Sequence, residues 1–105
     1  MQLLIESVSG QSFQNYMKTE VFQPLGMKDT WFGLPPDFAQ IMALPYGPFV
    51  EPLPRLRYNE LAAAGLTTTL RDLATLAAAG LKGPHGAPPG RGVLKPQTIE
   101  LMQTP

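Results

Sequence analysis

The most regular pattern of apolar and polar positions lies in residues 62–81, AAAGLTTTLRDLATLAAAGL. Thr69 is placed to cap the start of a helix, Asp72 lies at capping-box spacing from it, and Gly80 is placed to end the helix. An Ala-rich face predicts close packing against another helix. The spacing of three to four residues predicts a buried stripe formed by Leu70, Leu73, Ala74, Leu76 and Ala77.

The N-terminal third predicts two more helices. MQLLIESVSG carries apolar residues at helical spacing and Gly10 as a C-terminal cap, but no capping residue precedes Met1, which indicates a start within a helix. Ser12 is the predicted N-cap of the second helix. We expect Pro24 to end that helix, because the residue before a proline is pushed out of the α region.

The segment VFQPLGMKDTWF, residues 21–32, is predicted to be a joint between helices. Gly26 permits a left-handed turn, and Lys28 and Asp29 are expected on its solvated outside. Four apolar residues are expected to hold the turn in the core: Leu25, Met27, Trp31 and Phe32.

Two shorter helices complete the prediction. One has Pro35 or Pro36 in its first turn, and the other starts at Pro96, with Ile99 and Met102 facing inward. Neither Phe49–Val50 nor Val93–Leu94 is long enough for a convincing strand. The predicted fold class is mainly α, with four to five short helices joined by long Pro/Gly-rich loops.

The segment Leu44–Tyr58 is the most unusual loop, because residues 33–57 contain six prolines. Loops of this length are uncommon in compact domains unless they are functional or packed on something. PLPRLR, residues 52–57, resembles a polyproline peptide ligand with basic flanks. A loop whose prolines reduce the entropy of the unfolded chain explains it as well.

Composition excludes several classes of function. The net charge is zero, although residues 1–52 carry −3 (two Lys, five Asp/Glu) and residues 53–105 carry +3 (six Lys/Arg, three Asp/Glu). This balance gives no electrostatic case for nucleic acid or an anionic membrane. With no cysteine, disulfides and thiolate chemistry are excluded. No apolar run is long enough to span a membrane, and no signal peptide is visible.

Residues that could carry chemistry are few. His85, the only histidine, lies in GPHGAPPG without a second ligand at metal spacing, so we expect a solvent-exposed loop residue, no metal and no cofactor. The carboxylates do not pair at a spacing that suggests an acid/base couple. Helix-end chemistry explains Ser7, Ser9 and Ser12, and none of them lies in Ser-x-x-Lys or Gly-x-Ser-x-Gly.

Three segments in one order nevertheless resemble a known family. They are LLIESVSGQSFQNYMKTEVFQPLGMKDTWF, AAAGLTTTLRDLATL and GVLKPQTIELMQTP. Together they are similar to the serine β-lactamase and penicillin-binding-protein-like superfamily of bacterial hydrolases, in its class C β-lactamase-like branch, which includes esterases and D-amino-acid peptidases. Lys95 stands where that family often has Ser before the proline.

The resemblance implies that residues 1–105 form one partial domain, a segment of the helical domain of an α+β fold. This segment lies between the family's Tyr-x-Asn motif and its Lys-Thr-Gly or His-x-Gly motif. The family attacks its substrate with the Ser of Ser-x-x-Lys. None of these motifs is present: Lys18 starts KTE, and His85 starts HGA. No catalytic residue is therefore transferred to this sequence.

Two hypotheses follow. In the first, the chain is a non-catalytic segment of such a serine hydrolase, whose parent cleaves an amide or ester: a β-lactam, a D-amino-acid peptide or a small ester. Tyr46, Phe49 and Tyr58 are then candidates for the wall of the substrate pocket, or else anchors of the loop. The second hypothesis is a stand-alone helical protein-interaction module without enzymatic activity.

The first hypothesis also predicts partners. The partner of the chain would be the remainder of the parent hydrolase domain, and the small-molecule substrate would bind only in the parent. The isolated chain is expected to self-associate or to be only marginally stable. Family resemblance alone suggests a periplasmic or secreted location.

Overall fold

The computed structural model describes residues 1–35 and 37–104. The elements, in chain order, are α1 (Gln2–Ser9), α2 (Phe13–Met17), a π-helical turn (Lys18–Phe22), α3 (Gln23–Leu25), β1 (Trp31–Phe32), α4 (Phe38–Ile41), α5 (Leu61–Ala64), β2 (Leu66–Thr67), α6 (Leu70–Ala79), a 3₁₀ turn (Pro84–Gly86) and α7 (Pro96–Gln103). The mainly α prediction is confirmed, and all five predicted helices are present. The turn α5 was not predicted.

The predicted end of the second helix at Pro24 is wrong. Residues 13–25 form one continuous helical run, in which the π-helical turn directly precedes α3 and the Gln23 N–H donates to the Lys18 carbonyl five residues back. A proline lacks an N–H and crowds the carbonyl four residues earlier. The wider turn lets the run continue past Pro24. It ends at Gly26, which is left-handed with φ 74° as predicted.

The predicted helix caps are confirmed by their hydrogen bonds. The Ser12 hydroxyl accepts from the Asn15 N–H at 3.3 Å, and the Thr69 hydroxyl accepts from the Asp72 N–H at 3.3 Å. Gly10 is left-handed with φ 69° at the end of α1. Pro35 precedes α4, and the alternative first-turn proline, Pro36, lies outside the described residues.

One short antiparallel pairing was missed by the sequence analysis. Trp31 pairs with Thr67 and Phe32 with Leu66, and the Gly33 N–H extends the contact by donating to the Gly65 carbonyl at 2.7 Å. Two residues on each side are too few for a period-two pattern. The pairing fixes the joint, residues 21–32, against the chain that leads into α6.

The core is small and centres on the joint. Phe32 lies against Phe13 with ring centroids 4.7 Å apart and against Phe22 at 5.7 Å. Met27, in the same joint, is buried, while Leu25 is half-buried. The prediction that apolar residues hold this turn in the core is therefore confirmed for Met27, whereas Leu25, Trp31 and Phe32 are only partly buried. Lys28 and Asp29 are exposed as expected.

The predicted buried stripe of α6 is wrong for this chain. Leu70 is 84% exposed and Leu73 48% exposed, whereas the buried residues of the helix are Asp72 and Ala79. In α7, Ile99 is buried as predicted but Met102 is exposed. The pattern identifies the apolar face correctly, but nothing among the described residues covers that face of α6.

The molecule is more open than a compact domain of its length. Its radius of gyration is 16.1 Å, against about 13 Å expected for a compact chain of this size. The solvent-accessible surface is 7982 Å², against about 5,800 Å² expected from the mass. A large part of the apolar surface is therefore left in contact with solvent.

Candidate functional site

A buried carboxylate connects the joint to α6. Asp72 is 3% exposed, and its Oδ2 accepts the Asp29 N–H at 2.7 Å and the Thr30 hydroxyl at 2.8 Å. The hydroxyl oxygens of Thr30 and Thr68 are 2.8 Å apart. Bonds from N–H and O–H groups to a carboxylate are strong when desolvated. The cluster is therefore a clamp between distant segments rather than an acid/base couple.

The sequence explained Asp72 only in part. Its backbone N–H does complete the cap with Thr69, as predicted. Its side chain, however, bonds residues 42 and 43 positions away instead of returning to the start of its own helix. Nothing in the local sequence identifies such distant partners.

The candidate site is a cavity of about 910 Å³ beneath the Pro-rich loop. Its walls come from both ends of that loop, from α5, from β2 and from Gly33 and Leu34, which follow β1. Gln14 of α2 reaches it from the side. Most of the wall is aliphatic. Most of its polar side chains come from residues 55–59, and Gln14 and Thr67 add two more. Apolar walls with a few polar groups are typical of small-molecule sites.

Arg55 is the best-fixed polar side chain of this cavity. Its Nη2 donates to the Met42 carbonyl at 3.0 Å, so the guanidinium joins the two ends of the loop across the cavity wall. The side chain is half-buried, whereas Arg57 and Tyr58 are exposed. One guanidinium is thus held by the fold and the other is accessible.

The structure separates the three aromatic residues predicted to form a pocket wall. Tyr58 lines the cavity. Tyr46 and Phe49 belong to a tight hairpin, in which Tyr46 bridges Pro52 and the Gly47 N–H donates to the Glu51 carbonyl at 2.9 Å. Neither is among the described lining residues, and Phe49 is 89% exposed.

Sequence reasoning missed the arginines of the cavity. The pattern of PLPRLR, residues 52–57, indicates only a Pro-rich loop or a polyproline segment. The available signal was the pair of arginines, Arg55 and Arg57, within one Pro-rich loop segment. No sequence signal indicated that Gln14 or Thr67 would line the same cavity.

His85 is the remaining candidate residue, and its exposure agrees with the prediction. His85 is exposed, in the 3₁₀ turn, with a left-handed backbone (φ 58°). Within residues 1–35 and 37–104, no group of three His, Asp or Glu side chains is arranged to hold a metal ion. In the same residues, no helix is long and apolar enough to cross a membrane.

Comparisons with known proteins agree with this architecture. The family profile described as Beta-lactamase matches residues 1–105. A solved structure, the Beta-Lactamase/D-Alanine Carboxypeptidase from Pseudomonas syringae, is similar with a TM-score of 0.65 and 28% sequence identity. That match covers 88% of this chain and 26% of the other one. No curated protein matches the chain.

The helices, the joint and the loop-covered cavity define a mainly α part of a β-lactamase-like serine hydrolase fold. The chain belongs to the β-lactamase family. It spans about a quarter of the length of the solved structure that it matches. Its 105 residues contain neither Ser-x-x-Lys nor Tyr-x-Asn nor Lys-Thr-Gly, so the family's catalytic motifs are not among them.

Proposed function

We propose that the chain forms helical scaffold and one cavity wall of a serine hydrolase that cleaves an amide or ester through an acyl-serine intermediate. The observation that carries this is the match of 88% of the chain to 26% of a solved Beta-Lactamase/D-Alanine Carboxypeptidase. In such a reaction, a serine oxygen attacks the carbonyl, the leaving group departs, and water releases the acyl group. A β-lactam, a D-amino-acid peptide or a small ester would suit this chemistry.

The reacting serine is proposed to lie in the parent protein, outside residues 1–105. None of Ser7, Ser9 and Ser12 is proposed to react. The Ser9 hydroxyl accepts the Gln11 N–H, and the Ser12 hydroxyl caps α2. The chain then contributes positioning of the substrate and no reacting atom.

The proposed partner of the chain is the remainder of that hydrolase domain. Its surface exceeds the expectation for a compact chain of this mass by about 2,200 Å². Stable interfaces between obligate partners bury an area of this order or more. The exposed leucines of α6 and the exposed apolar face of α1 are suited to such an interface.

Contact with the substrate is proposed for the aromatic residues of the loop. Tyr58 has the better support, because it lines the cavity. Tyr46 and Phe49 lie on the hairpin at the outer end of the loop, so a contact from them needs a substrate that extends beyond the cavity. Their exposure leaves both available for that role.

Turnover measurements test the proposal. The isolated chain, incubated with a chromogenic cephalosporin or a p-nitrophenyl ester, is expected to give no turnover above a protein-free control. The parent polypeptide is expected to hydrolyse at least one amide or ester of these classes. Turnover by the isolated chain would overturn the assignment, as would a parent inert toward every β-lactam, D-amino-acid peptide and ester tested.

A further inference from the structure

The described charged residues that line the cavity beneath the Pro-rich loop are all positive. Among its described lining residues, the charged side chains are Arg55 and Arg57. The nearest acid in the sequence, Glu60, is the exposed residue before α5 and is not among them. An anion in this cavity would meet guanidinium groups and no carboxylate from the described lining.

The geometry also favours a group that is anionic at one end and apolar at the other. Arg57 lies two residues from Arg55, whose position is fixed by the bond to the Met42 carbonyl. Tyr58 and Asn59 add a hydroxyl and an amide next to them in the chain. Leu53, Leu56 and Leu61 supply aliphatic wall. A guanidinium binds a carboxylate with two parallel hydrogen bonds when the geometry allows.

We propose that this cavity binds a small organic anion with a carboxylate and an apolar body, and that Arg57 is the residue that selects the anion. This proposal rests on the proposed function in one respect: the carboxylate is assigned to the acyl group of the hydrolase's substrate. The size fits, because the cavity of about 910 Å³ lies within the range of about 300–1,000 Å³ of ligand pockets. Arg55 positions the wall and adds to the positive charge.

Phenylacetate and its neutral amide, phenylacetamide, form a matched pair of probes. We expect phenylacetate to bind the ¹⁵N-labelled chain at least about threefold more tightly than phenylacetamide, which is the size of effect expected of an accessible charge pair. Chemical-shift changes are expected to concentrate in residues 53–67. The difference is expected to shrink when the salt concentration is raised.

Substitutions that remove the same charge at different positions distinguish an effect of the cavity from an effect of net charge. Arg57→Gln is expected to remove the preference for phenylacetate, and Arg57→Lys to keep part of it, because Lys retains the charge but not the planar donor pair. Arg71→Gln removes the same charge from an exposed position of α6 outside the cavity lining and is expected to leave the preference unchanged. The ¹⁵N spectra of all variants are compared first, so that a loss of folding is recognised.

Three outcomes would overturn the inference. Equal binding of the two probes would make the cavity an apolar groove, suited to a segment of the parent domain instead. An equal effect of Arg57→Gln and Arg71→Gln would show that the preference for phenylacetate reflects only the net charge of the chain. Absence of probe binding by both the folded chain and the parent polypeptide would remove the site. None of these outcomes affects the proposed acyl-serine chemistry, which is tested separately by turnover of the parent.

Discussion

At the scale of single residues, Asp72 shows most clearly what local sequence determines and what it does not. Its spacing from Thr69 predicts a place in the first turn of α6, and the hydrogen bond between them confirms it. The bonds of its carboxylate to Asp29 and Thr30 depend on how segments some forty residues apart are brought together. Capping chemistry is readable from sequence because it is local, whereas this clamp is not.

Removing the carboxylate is expected to destabilise the chain. Asp72→Ala leaves the Asp29 N–H and the Thr30 hydroxyl without their acceptor, which we expect to lower the free energy of unfolding by about 3 kcal/mol. Asp72→Asn retains an acceptor and is expected to cost less. Urea unfolding followed by circular dichroism measures both.

Glu100→Ala provides the control for this substitution, because it removes an exposed carboxylate from α7. Its unfolding midpoint is expected to stay close to that of the wild type. If Asp72→Ala and Glu100→Ala shifted the midpoint equally, the clamp would have no role in stability.

At the scale of elements, the sequence predicted five helices and their capping residues. The prediction failed where the structure of a segment depends on contacts with another segment. Pro24 was expected to end a helix, but the preceding π-helical turn accommodates it. The two-residue pairing of Trp31–Phe32 with Leu66–Thr67 leaves no periodic signal. The cavity escaped prediction for the same reason, because Gln14, Arg57 and Thr67 come together only in the fold.

The left-handed turn that ends the first long helical run gives a direct test of this description. Gly26 has φ 74° and open space where a Cβ would lie, so Gly26→Ala has a conformational cost alone. We expect a loss of about 1 kcal/mol in the free energy of unfolding.

Gly80→Ala is the matched substitution at the end of α6. Gly80 has φ −76°, and an added Cβ would make ordinary contacts at 3.4 and 3.5 Å. The change in the free energy of unfolding is expected to stay within about 0.5 kcal/mol. A larger loss at Gly80 than at Gly26 would refute the assignment of the turn.

At the scale of the whole molecule, the described residues leave large apolar faces exposed to solvent. The stripe of α6 was predicted to be buried, yet Leu70 is exposed, because a hydrophobic pattern identifies a face but not the location of its partner. The large radius of gyration and surface area have the same cause. The openness of the structure and the family match over 26% of a longer chain are consistent with each other.

The isolated chain is therefore expected to self-associate. Light scattering should show an apparent mass that rises with concentration, and Leu3→Gln with Leu70→Gln should reduce this rise because both side chains are exposed. Gln97→Ala, at an exposed polar position of α7, should not. A sharp, concentration-independent melt of a monomer would argue against an uncovered interface and would favour a self-sufficient helical module.

The most direct test of the central claim is the position of the acyl group after reaction. The parent polypeptide and the isolated chain are each incubated with a slowly released β-lactam or ester, digested, and mapped by mass spectrometry. We predict an acyl-serine in a Ser-x-x-Lys motif outside residues 1–105 and an unmodified isolated chain. Stoichiometric acylation of Ser7, Ser9 or Ser12 would contradict the account.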